Sequence, residues 1–309
     1  MKYIIIYKFI SFIMKLLDGK LVSQKLRDQL KKQISKLHPN LDKPHLAVVL
    51  VGDNQSSKVY IKQKEKACLE VGIKFTLYQM TSNVDTSDIL SQIDQINNDP
   101  LIHGLIVQLP LPKNINKDLV ISRISAQKDV DGFHPENIGK LLLNKNTFKP
   151  ATPYGIELLI KHYQIPTQGQ HCVILGKSLI VGQPLANLMC LETGLGATVT
   201  CCDKNTKNMR EIIKMADILV VAVGKHHLIN DANWLKPNVV IIDVGIHKIN
   251  DKTKKRGFRL EGDVDFHNPS IQDKCAYMTP VPGGVGPMTV AGLLQNTYQG
   301  YQEQKNGKM

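Results

Sequence analysis

The chain has 309 residues, of which 42% are hydrophobic and 21% charged, a composition typical of a soluble globular protein with about two domains. A net charge of +12 could attract nucleic acid or small anions, but one Trp and 6% aromatic residues leave few rings for stacking single strands. Because the lysines are scattered rather than clustered, we expect small anionic ligands and no nucleic acid.

The termini and the cysteines indicate where the protein works. Residues 1–13 are apolar, but Lys8 interrupts them and no small-residue cleavage site follows. We therefore interpret them as an N-terminal extension of uncertain status, not a signal peptide or a membrane span, and expect the fold to begin near Leu16. No cysteine pair has the C-x-x-C spacing of a zinc or redox site, which predicts reduced thiols, a cytoplasmic location and no metal.

Alternating patterns in the first half predict a parallel α/β sheet. An amphipathic helix is expected over residues 19–37, and a helix begun by Thr86 follows the second strand. The predicted strands span residues 46–51, 73–80 and 101–108. Prolines after Leu109 cannot continue a central strand, so Gln108 is expected at a strand's carboxyl end.

A helix beginning near Ser56 or Ser57 should follow the first of these strands. Ser57, Tyr60 and Lys64 would share one face of it, at an edge where open α/β sheets bind ligands. Most tyrosine–lysine pairs at this spacing only cover surface. The functional alternative is a ring that stacks a planar substrate beside a desolvated lysine that exchanges protons near neutral pH.

Two further segments are open to more than one interpretation. Asp129 and Asp131 lie in a polar turn, where aspartate is favoured for turn chemistry, although Asp131 could also accept hydrogen bonds from an aminopyrimidine edge. Thr152 is predicted to cap a connecting helix whose first residue is Pro153.

The second half predicts a Rossmann-like domain. A strand at residues 171–175 runs into a glycine-rich turn with Gly176, Lys177 and Ser178, where backbone N–H groups can approach a phosphate at a helix N-terminus. Three more strands, separated by helices, are expected at residues 197–202, 218–223 and 239–244.

The end of the second of these strands leaves the cofactor open. An acid there usually holds the ribose of NAD, whereas a base favours the 2′-phosphate of NADP. The chain has both, as Asp203 and Lys204.

A last glycine- and proline-rich loop, residues 279–289, opens a helix that should run to about Tyr301. Such loops are occasionally mere connectors. Three glycines before an amphipathic helix are more typical of a clamp for phosphate or nicotinamide.

Five motifs stand in a recognisable order: VGDNQSSKVYIKQK, GLIVQLPLP, KDVDGFHP, GKSLIVGQP and TPVPGGVGPMTV. Together they resemble the bifunctional methylenetetrahydrofolate dehydrogenase/methenyltetrahydrofolate cyclohydrolase family over residues 16–301. The resemblance implies an α/β fold with two lobes and a cleft between them. Residues 14–150 plus 280–303 would form the folate-binding catalytic domain, and residues 151–279 the Rossmann-like NADP-binding domain.

The resemblance also implies the chemistry. 5,10-Methylenetetrahydrofolate would be oxidised to 5,10-methenyltetrahydrofolate with NADP, and then hydrolysed to 10-formyltetrahydrofolate. Such an enzyme serves one-carbon metabolism and purine biosynthesis in the cytoplasm, takes tetrahydrofolate derivatives as its partners, needs neither metal nor membrane, and forms a homodimer through the nucleotide domain.

The family's functional residues carry over to matching positions. Lys64 would be the acid/base of the hydrolysis, Tyr60 would stack the folate, Gln108 would hydrogen-bond Lys64, and Asp131 would grip the pterin edge, which reverses its interpretation as a turn residue. The remaining positions are Pro282 and Gly283 for substrate, and Gly176, Lys177, Ser178, Lys204, Ile246 and Thr289 for cofactor.

Three departures from the family pattern bear on these expectations. Ala151 replaces a usual cysteine, so that thiol is dispensable. Lys177 stands where many members have arginine, and Asp203 is unusual beside a 2′-phosphate. Because Lys177 and Lys204 are both available, we favour NADP without excluding NAD. The alternatives are a dehydrogenase that has lost hydrolysis, a non-catalytic folate- or nucleotide-binding module, and a nucleic-acid binder supported by charge alone.

Overall fold

A computed structural model describes residues 14–38, 41–192 and 194–307. The predicted extension, residues 1–13, lies outside the described residues. The chain forms two parallel sheets and one antiparallel hairpin, with helices packed on the sheets. The first elements are β1 (Lys15–Leu16) and α1 (Gly19–Ser35), close to where the fold was expected to begin.

The smaller sheet has three parallel strands in the order β3-β2-β4. Its elements are β2 (His45–Val51), α2 (Gln55–Val71), β3 (Lys74–Met80), α3 (Thr86–Asn98) and β4 (Gly104–Val107). β2 is central and buried, as its unbroken apolar run predicts. β4 is shorter than the predicted strand 101–108, but Gln108 does follow its carboxyl end.

The larger sheet is a doubly wound sheet of six parallel strands, in the order β1-β11-β8-β7-β5-β6. Its remaining elements are β5 (His171–Leu175), α7 (Gly182–Cys190), β6 (Thr198–Cys202), α8 (Met209–Lys214), β7 (Ile218–Val221), β8 (Val239–Asp243), α9 (Pro269–Gln272) and β11 (Cys275–Met278). The four predicted strands are confirmed. The helix expected between the last two is wrong, because that connection holds only a short 3-10 helix, Ala232–Trp234.

Other helices and a hairpin complete the molecule. They are α4 (Lys117–Arg123), α5 (Pro135–Leu142), α6 (Ala151–His162), the hairpin strands β9 (His247–Asn250) and β10 (Phe258–Glu261), and α10 (Val285–Lys305).

Two predicted helix caps are wrong, whereas the predicted start of α2 is confirmed. α2 begins at Gln55, so Ser56 and Ser57 lie in its first turn, and the side chain of the capping residue Asn54 accepts a hydrogen bond from the Ser57 N–H group. Asp85, not Thr86, caps α3. Thr152 lies inside α6, one residue after its start. Asp85, just before α3, has the extended backbone and the side-chain acceptor that a cap needs, whereas Pro150, just before α6, makes no side-chain capping bond.

α6 and α10 pack unusually closely. A Cβ atom added to Gly292 of α10 would lie 2.7 Å from the Ala151 carbonyl oxygen, and one added to Gly155 of α6 would lie 2.6 Å from that of Met288. The two glycines therefore let the helix backbones meet.

α10 belongs to two hydrophobic cores. Its start, Val285 and Met288, packs in the core on one face of the larger sheet. Its later residues, including Leu294 and Tyr298, pack with β2 and α2. Within the part of the chain that the structure describes, no helix is long and apolar enough to cross a membrane.

Candidate active site

Lys64 and Gln108 meet at the carboxyl edge of the smaller sheet. Lys64 lies on the third turn of α2, which follows β2, and Gln108 follows β4 next to it. The Gln108 N–H group continues the strand pairing by donating to the Val49 carbonyl at 2.9 Å. The Lys64 Nζ atom donates to Gln108 Oε1 at 3.0 Å.

The Gln108 amide is held in one orientation. Its Nε2 group donates to the Leu109 carbonyl at 2.8 Å, which leaves Oε1 facing Lys64. A neutral acceptor can hold either form of the amine, so Gln108 positions Lys64 without fixing a proton on it.

The electrostatics of Lys64 depend on burial and on Asp131. Burial lowers the pKa of Lys64 from its usual range, and the Asp131 carboxylate opposes that shift. Burial likewise raises the pKa of Asp131, opposed by the Lys64 ammonium group. A lysine with a lowered pKa carries its free-base form at lower pH than an exposed lysine does, as proton transfer near neutrality requires.

The Asp131 loop is fixed by its neighbours. Asp129 makes the predicted turn bonds, since its Oδ2 accepts from the His134 N–H at 2.7 Å and its Oδ1 from the Gly132 N–H at 3.1 Å. Asn296 of α10 donates through Nδ2 to the Val130 carbonyl at 2.9 Å. Asn296 was not predicted, because its partner is a backbone atom 166 residues away.

Ser57 and Tyr60, which were predicted to share one face of α2 with Lys64, have different environments. Ser57 is buried in the first turn of α2, while the Tyr60 ring is 44% exposed beside the site. An exposed ring one turn before a partly buried amine can cover a planar ligand whose reactive atoms reach that amine. Ser57 has a place in the helix start and not at the ligand-facing surface.

A second group of predicted residues lies at the carboxyl edge of the larger sheet, beside the switch point between β5 and β7. Gly176 follows β5 with φ of +111°. A Cβ atom there would lie 2.3 Å from the Ala222 carbonyl oxygen, so only glycine lets the two loops meet. The Ser178 Oγ atom accepts from the Val181 N–H at 3.1 Å, at the start of α7. This tight turn before a helix N-terminus fits a dinucleotide phosphate.

Lys177 and Asp203 form an ion pair across this edge. The Lys177 Nζ atom lies 3.4 Å from Asp203 Oδ2, and both side chains are well exposed. Lys204, the next residue, is also exposed. The predicted acid and bases are therefore neighbours at the position where a ribose is expected.

Two buried carboxylates shape the loops beyond β7 and β8, and sequence reasoning missed both. Asp263 Oδ2 accepts from the N–H groups of Val223 and Gly224 at 2.8 and 3.0 Å. Asp243 Oδ1 accepts from the Gly245 N–H at 2.9 Å, just before Ile246, which is 45% exposed. The available signal was an aspartate at the end of an otherwise apolar strand.

The start of α10 lies beside the Asp131 loop. The Thr289 Oγ1 atom lies 3.0 Å from Thr152 Oγ1, and the Ala151 N–H before it donates to the Asp131 carbonyl at 3.4 Å. In the preceding loop, the Gly283 carbonyl accepts from the Lys20 N–H at 2.9 Å, beside the exposed Pro282. A short run of contacts thus joins the Asp131 loop to the α10 start.

Comparison with known proteins identifies the family. Residues 17–131 match the tetrahydrofolate dehydrogenase/cyclohydrolase catalytic domain, and residues 150–305 match the NAD(P)-binding domain of the same family. The bifunctional protein FolD of Cytophaga hutchinsonii is 48% identical over 288 residues, which cover 93% of this chain and 98% of the relative. That of Amoebophilus asiaticus is 50% identical over 284 residues, which cover 91% and 94%.

Solved structures of related proteins support the same family assignment. The bifunctional FolD enzyme from Campylobacter jejuni superposes with a TM-score of 0.87 at 42% identity, covering 95% of this chain and 99% of that one. The FolD enzyme of Trypanosoma brucei, solved with NADP and an inhibitor, gives 0.87 at 31% identity, covering 94% and 98%. The predicted two-lobed α/β fold is confirmed, and the chain belongs to the tetrahydrofolate dehydrogenase/cyclohydrolase family.

Proposed function

We propose that this protein oxidises 5,10-methylenetetrahydrofolate to 5,10-methenyltetrahydrofolate with NADP and then hydrolyses that product to 10-formyltetrahydrofolate. The observation that carries the proposal is the Lys64–Gln108 hydrogen bond of 3.0 Å, formed by a lysine whose pKa burial lowers. Family membership and the bifunctional relatives support both reactions.

Lys64 moves the protons of the hydrolysis. Opening the methenyl cation requires that water lose a proton and that a ring nitrogen gain one. A single amine with a lowered pKa can take the first proton and donate it in the second step, whereas a permanently charged arginine could not. Gln108 holds the amine in place during both transfers.

Substrate binding is assigned to residues around this amine. The exposed Tyr60 ring stacks on the folate, and Asp131 binds the pterin edge through hydrogen bonds. Pro282 and Gly283 contribute to substrate binding from the loop before α10. These roles follow from the matching family positions, and the side chains of Tyr60 and Pro282 are exposed.

The nucleotide is held at the carboxyl edge of the larger sheet. Gly176 and Ser178 present the phosphate turn, Lys177 and Lys204 supply positive charge, and the remaining contacts come from Ile246 and Thr289. NADP bound there would supply the acceptor for the hydride of the methylene carbon. The chain's own task in that step is to align two rings and exclude water.

The matching family positions also suggest how the chain divides into domains. We assign residues 14–150 plus 280–303 to the folate-binding domain and residues 151–279 to the NADP-binding domain, with the short strand β1 pairing across to β11 of the larger sheet. The packing of Leu294 and Tyr298 with the core of the smaller sheet supports placing most of α10 in the first domain.

A cellular setting follows from the proposed chemistry. A cytoplasmic enzyme of one-carbon metabolism would supply 10-formyltetrahydrofolate to purine biosynthesis. We also propose a homodimer through the nucleotide domain, where β6 is an edge strand of the sheet. Sedimentation equilibrium tests the dimer, and a monomer at micromolar concentration would contradict it.

Replacement of Lys64 tests the hydrolysis. We expect Lys64→Met to lower cyclohydrolase kcat roughly 100-fold or more, because general acid–base catalysis is lost. Lys62→Met, an exposed lysine on the same helix, is the matched control. The methenyl absorbance reports both half-reactions. If Lys64→Met kept most of the hydrolysis, Lys64 would not be the acid/base. If the unaltered enzyme accumulated the methenyl product, the protein would be a dehydrogenase without cyclohydrolase activity.

A further inference from the structure

Two adjacent histidines converge on one carboxylate, away from the folate site. The His226 Nε2 atom lies 2.5 Å from Glu261 Oε2, and the His227 Nε2 atom lies 3.3 Å from the same oxygen. The two imidazole rings are stacked, with centroids 3.8 Å apart. The histidines follow β7, and Glu261 ends β10, so the cluster joins two separate elements.

The orientation of the Glu261 carboxylate is fixed by Arg259. Arg259 donates through Nε to Glu261 Oε1 at 2.5 Å, which leaves Oε2 for the histidines. Partial burial alone would raise the pKa of Glu261, but the bonds from His226 and Arg259 outweigh burial and lower it.

The backbone directs His227 towards the same point. His227 has φ of +49°, a left-handed conformation that side-chain-bearing residues rarely adopt. In this conformation its ring stacks beside that of His226 and faces the same oxygen.

The spacing suits a small divalent metal. With metal–nitrogen and metal–oxygen bonds of about 2.0–2.2 Å, tetrahedral ligand atoms stand about 3.3 Å apart. The His227–Glu261 distance already has this value, and the ligand atoms of all three residues lie within 4.8 Å of one another. The His226–Glu261 pair must open by about 0.8 Å, as expected when a metal replaces the hydrogen bond between them.

We propose that His226, His227 and Glu261 form a binding site for a divalent metal of the zinc, nickel or cobalt class, which prefers imidazole and carboxylate ligands. Water completes the coordination, or Asp265, whose Oδ1 atom lies 4.0 Å from His227 Nε2. Binding uses the neutral His226 tautomer with its proton on Nδ1, so the His226 Nε2–Glu261 Oε2 hydrogen bond is replaced by one bond from each atom to the metal. The sequence prediction of no metal rested on cysteine spacing and took no account of histidines.

The proposed metal site lies next to the loop after β7, at the carboxyl edge of the larger sheet where the nucleotide is expected to bind. Val223 and Gly224, just before the histidines, donate their N–H groups to Asp263, two residues beyond Glu261. A bound metal would join the loop after β7 to the end of β10 by a second link. The site thus adds a structural tie to the nucleotide domain and is independent of the proposed folate chemistry.

Titration with metal tests the proposal. The purified full chain, stripped with EDTA and dialysed, is titrated with ZnCl2 by calorimetry and with CoCl2 by visible absorption. We expect one equivalent of either metal to bind, with tetrahedral Co2+ bands, a rise in melting temperature that grows with the logarithm of free zinc, and at least 10-fold weaker binding at pH 5.5 than at pH 7.5.

Variants separate this site from other ligands. His226→Ala, His227→Ala and the milder Glu261→Gln should each weaken binding at least 10-fold, while His267→Ala, an exposed histidine nearby, should not. Cys190 is exposed and Cys201 is partly buried, so their thiols are the competing ligands that a metal in solution can reach. Binding lost in Cys190→Ser/Cys201→Ser but kept in His227→Ala would overturn the proposal, as would no binding by the folded, unaltered chain.

Discussion

The Asp203 carboxylate lies beside the expected position of the NADP 2′-phosphate, and its own environment keeps it ionised. Hydrogen bonding from the Asn205 N–H group, with Lys177 nearby, lowers the pKa of Asp203. The ion pair with Lys177 partly neutralises the cation that a 2′-phosphate would use. Two opposite charges at one position explain why residue types alone left the choice of cofactor open.

Replacement of Asp203 should strengthen the preference for NADP. In Asp203→Ser, Lys177 is released and one repulsive charge is removed, so we expect the KM for NADP to fall several-fold while the KM for NAD rises or stays the same. Lys177→Met should shift the ratio the other way. Initial rates with both cofactors measure this. An unchanged ratio in both variants would show that this edge does not contact the 2′-phosphate.

The site residues differ in how far they can be predicted. Helical spacing alone predicts that Tyr60 and Lys64 share a face. The Gln108 partner, 44 residues beyond Lys64, follows only from the family resemblance. Asn296 and Asp263 act through backbone groups of distant loops, and no local pattern marks such partners.

At the scale of elements, the C-terminal end of α3 is capped by a buried lysine from a later loop. Lys128 donates through Nζ to the carbonyls of Ile96, Asn97 and Asp99 at 3.0, 2.8 and 2.6 Å. Burial lowers the pKa of Lys128, opposed by Asp99. A cation at a helix C-terminus satisfies carbonyl groups that have no partner within the helix.

Removal of this lysine should destabilise the first lobe. Lys128→Met leaves three carbonyl groups without their donor in a buried place, so we expect the free energy of unfolding to fall by about 3 kcal/mol. The exposed Lys66→Met should change it by about 0.5 kcal/mol or less. Urea denaturation followed by circular dichroism measures both. Equal stability of the two variants would mean that water replaces the Lys128 contacts.

Strands were easier to predict than helix starts. Buried strands such as β2 are unbroken apolar runs, and the glycine or proline after each one marks its end. Short peripheral strands carry no such run, which is why β1 and β11 were missed. Their pairing depends on a sheet edge built by distant residues.

At the scale of the whole molecule, stability should depend on a buried histidine. His103 is 1% exposed, and its ring packs edge-on against Tyr301 of α10. Burial, with the nearby charge of Lys305, lowers the pKa of His103 to about 4. An unfolded chain has the ordinary value of about 6.5, so between these values the unfolded state binds more protons.

The stabilising effect of neutral His103 is therefore present above pH 6.5 and is lost as the pH falls towards 4. From pH 7 to pH 5 we expect this residue to reduce the free energy of unfolding by about 2 kcal/mol. In His103→Leu that part of the pH dependence should disappear, whereas His162→Leu, at an exposed position, should keep it. Urea denaturation at both pH values checks this, and parallel losses in all three proteins would contradict it.

The two-lobed architecture was predictable because each lobe repeats a strand–helix pattern. The way α10 joins the lobes was not predictable, because amphipathic spacing shows that a helix has an apolar face but not which core receives it.

The position of α10 in both cores also sets an order of events during synthesis. The ribosome makes every strand of both sheets before it makes α10. Until α10 emerges, the core around β2 lacks Leu294 and Tyr298, and the core of the larger sheet lacks Val285 and Met288. Neither lobe can complete its packing on a growing chain that ends before this helix, so the two lobes are finished together.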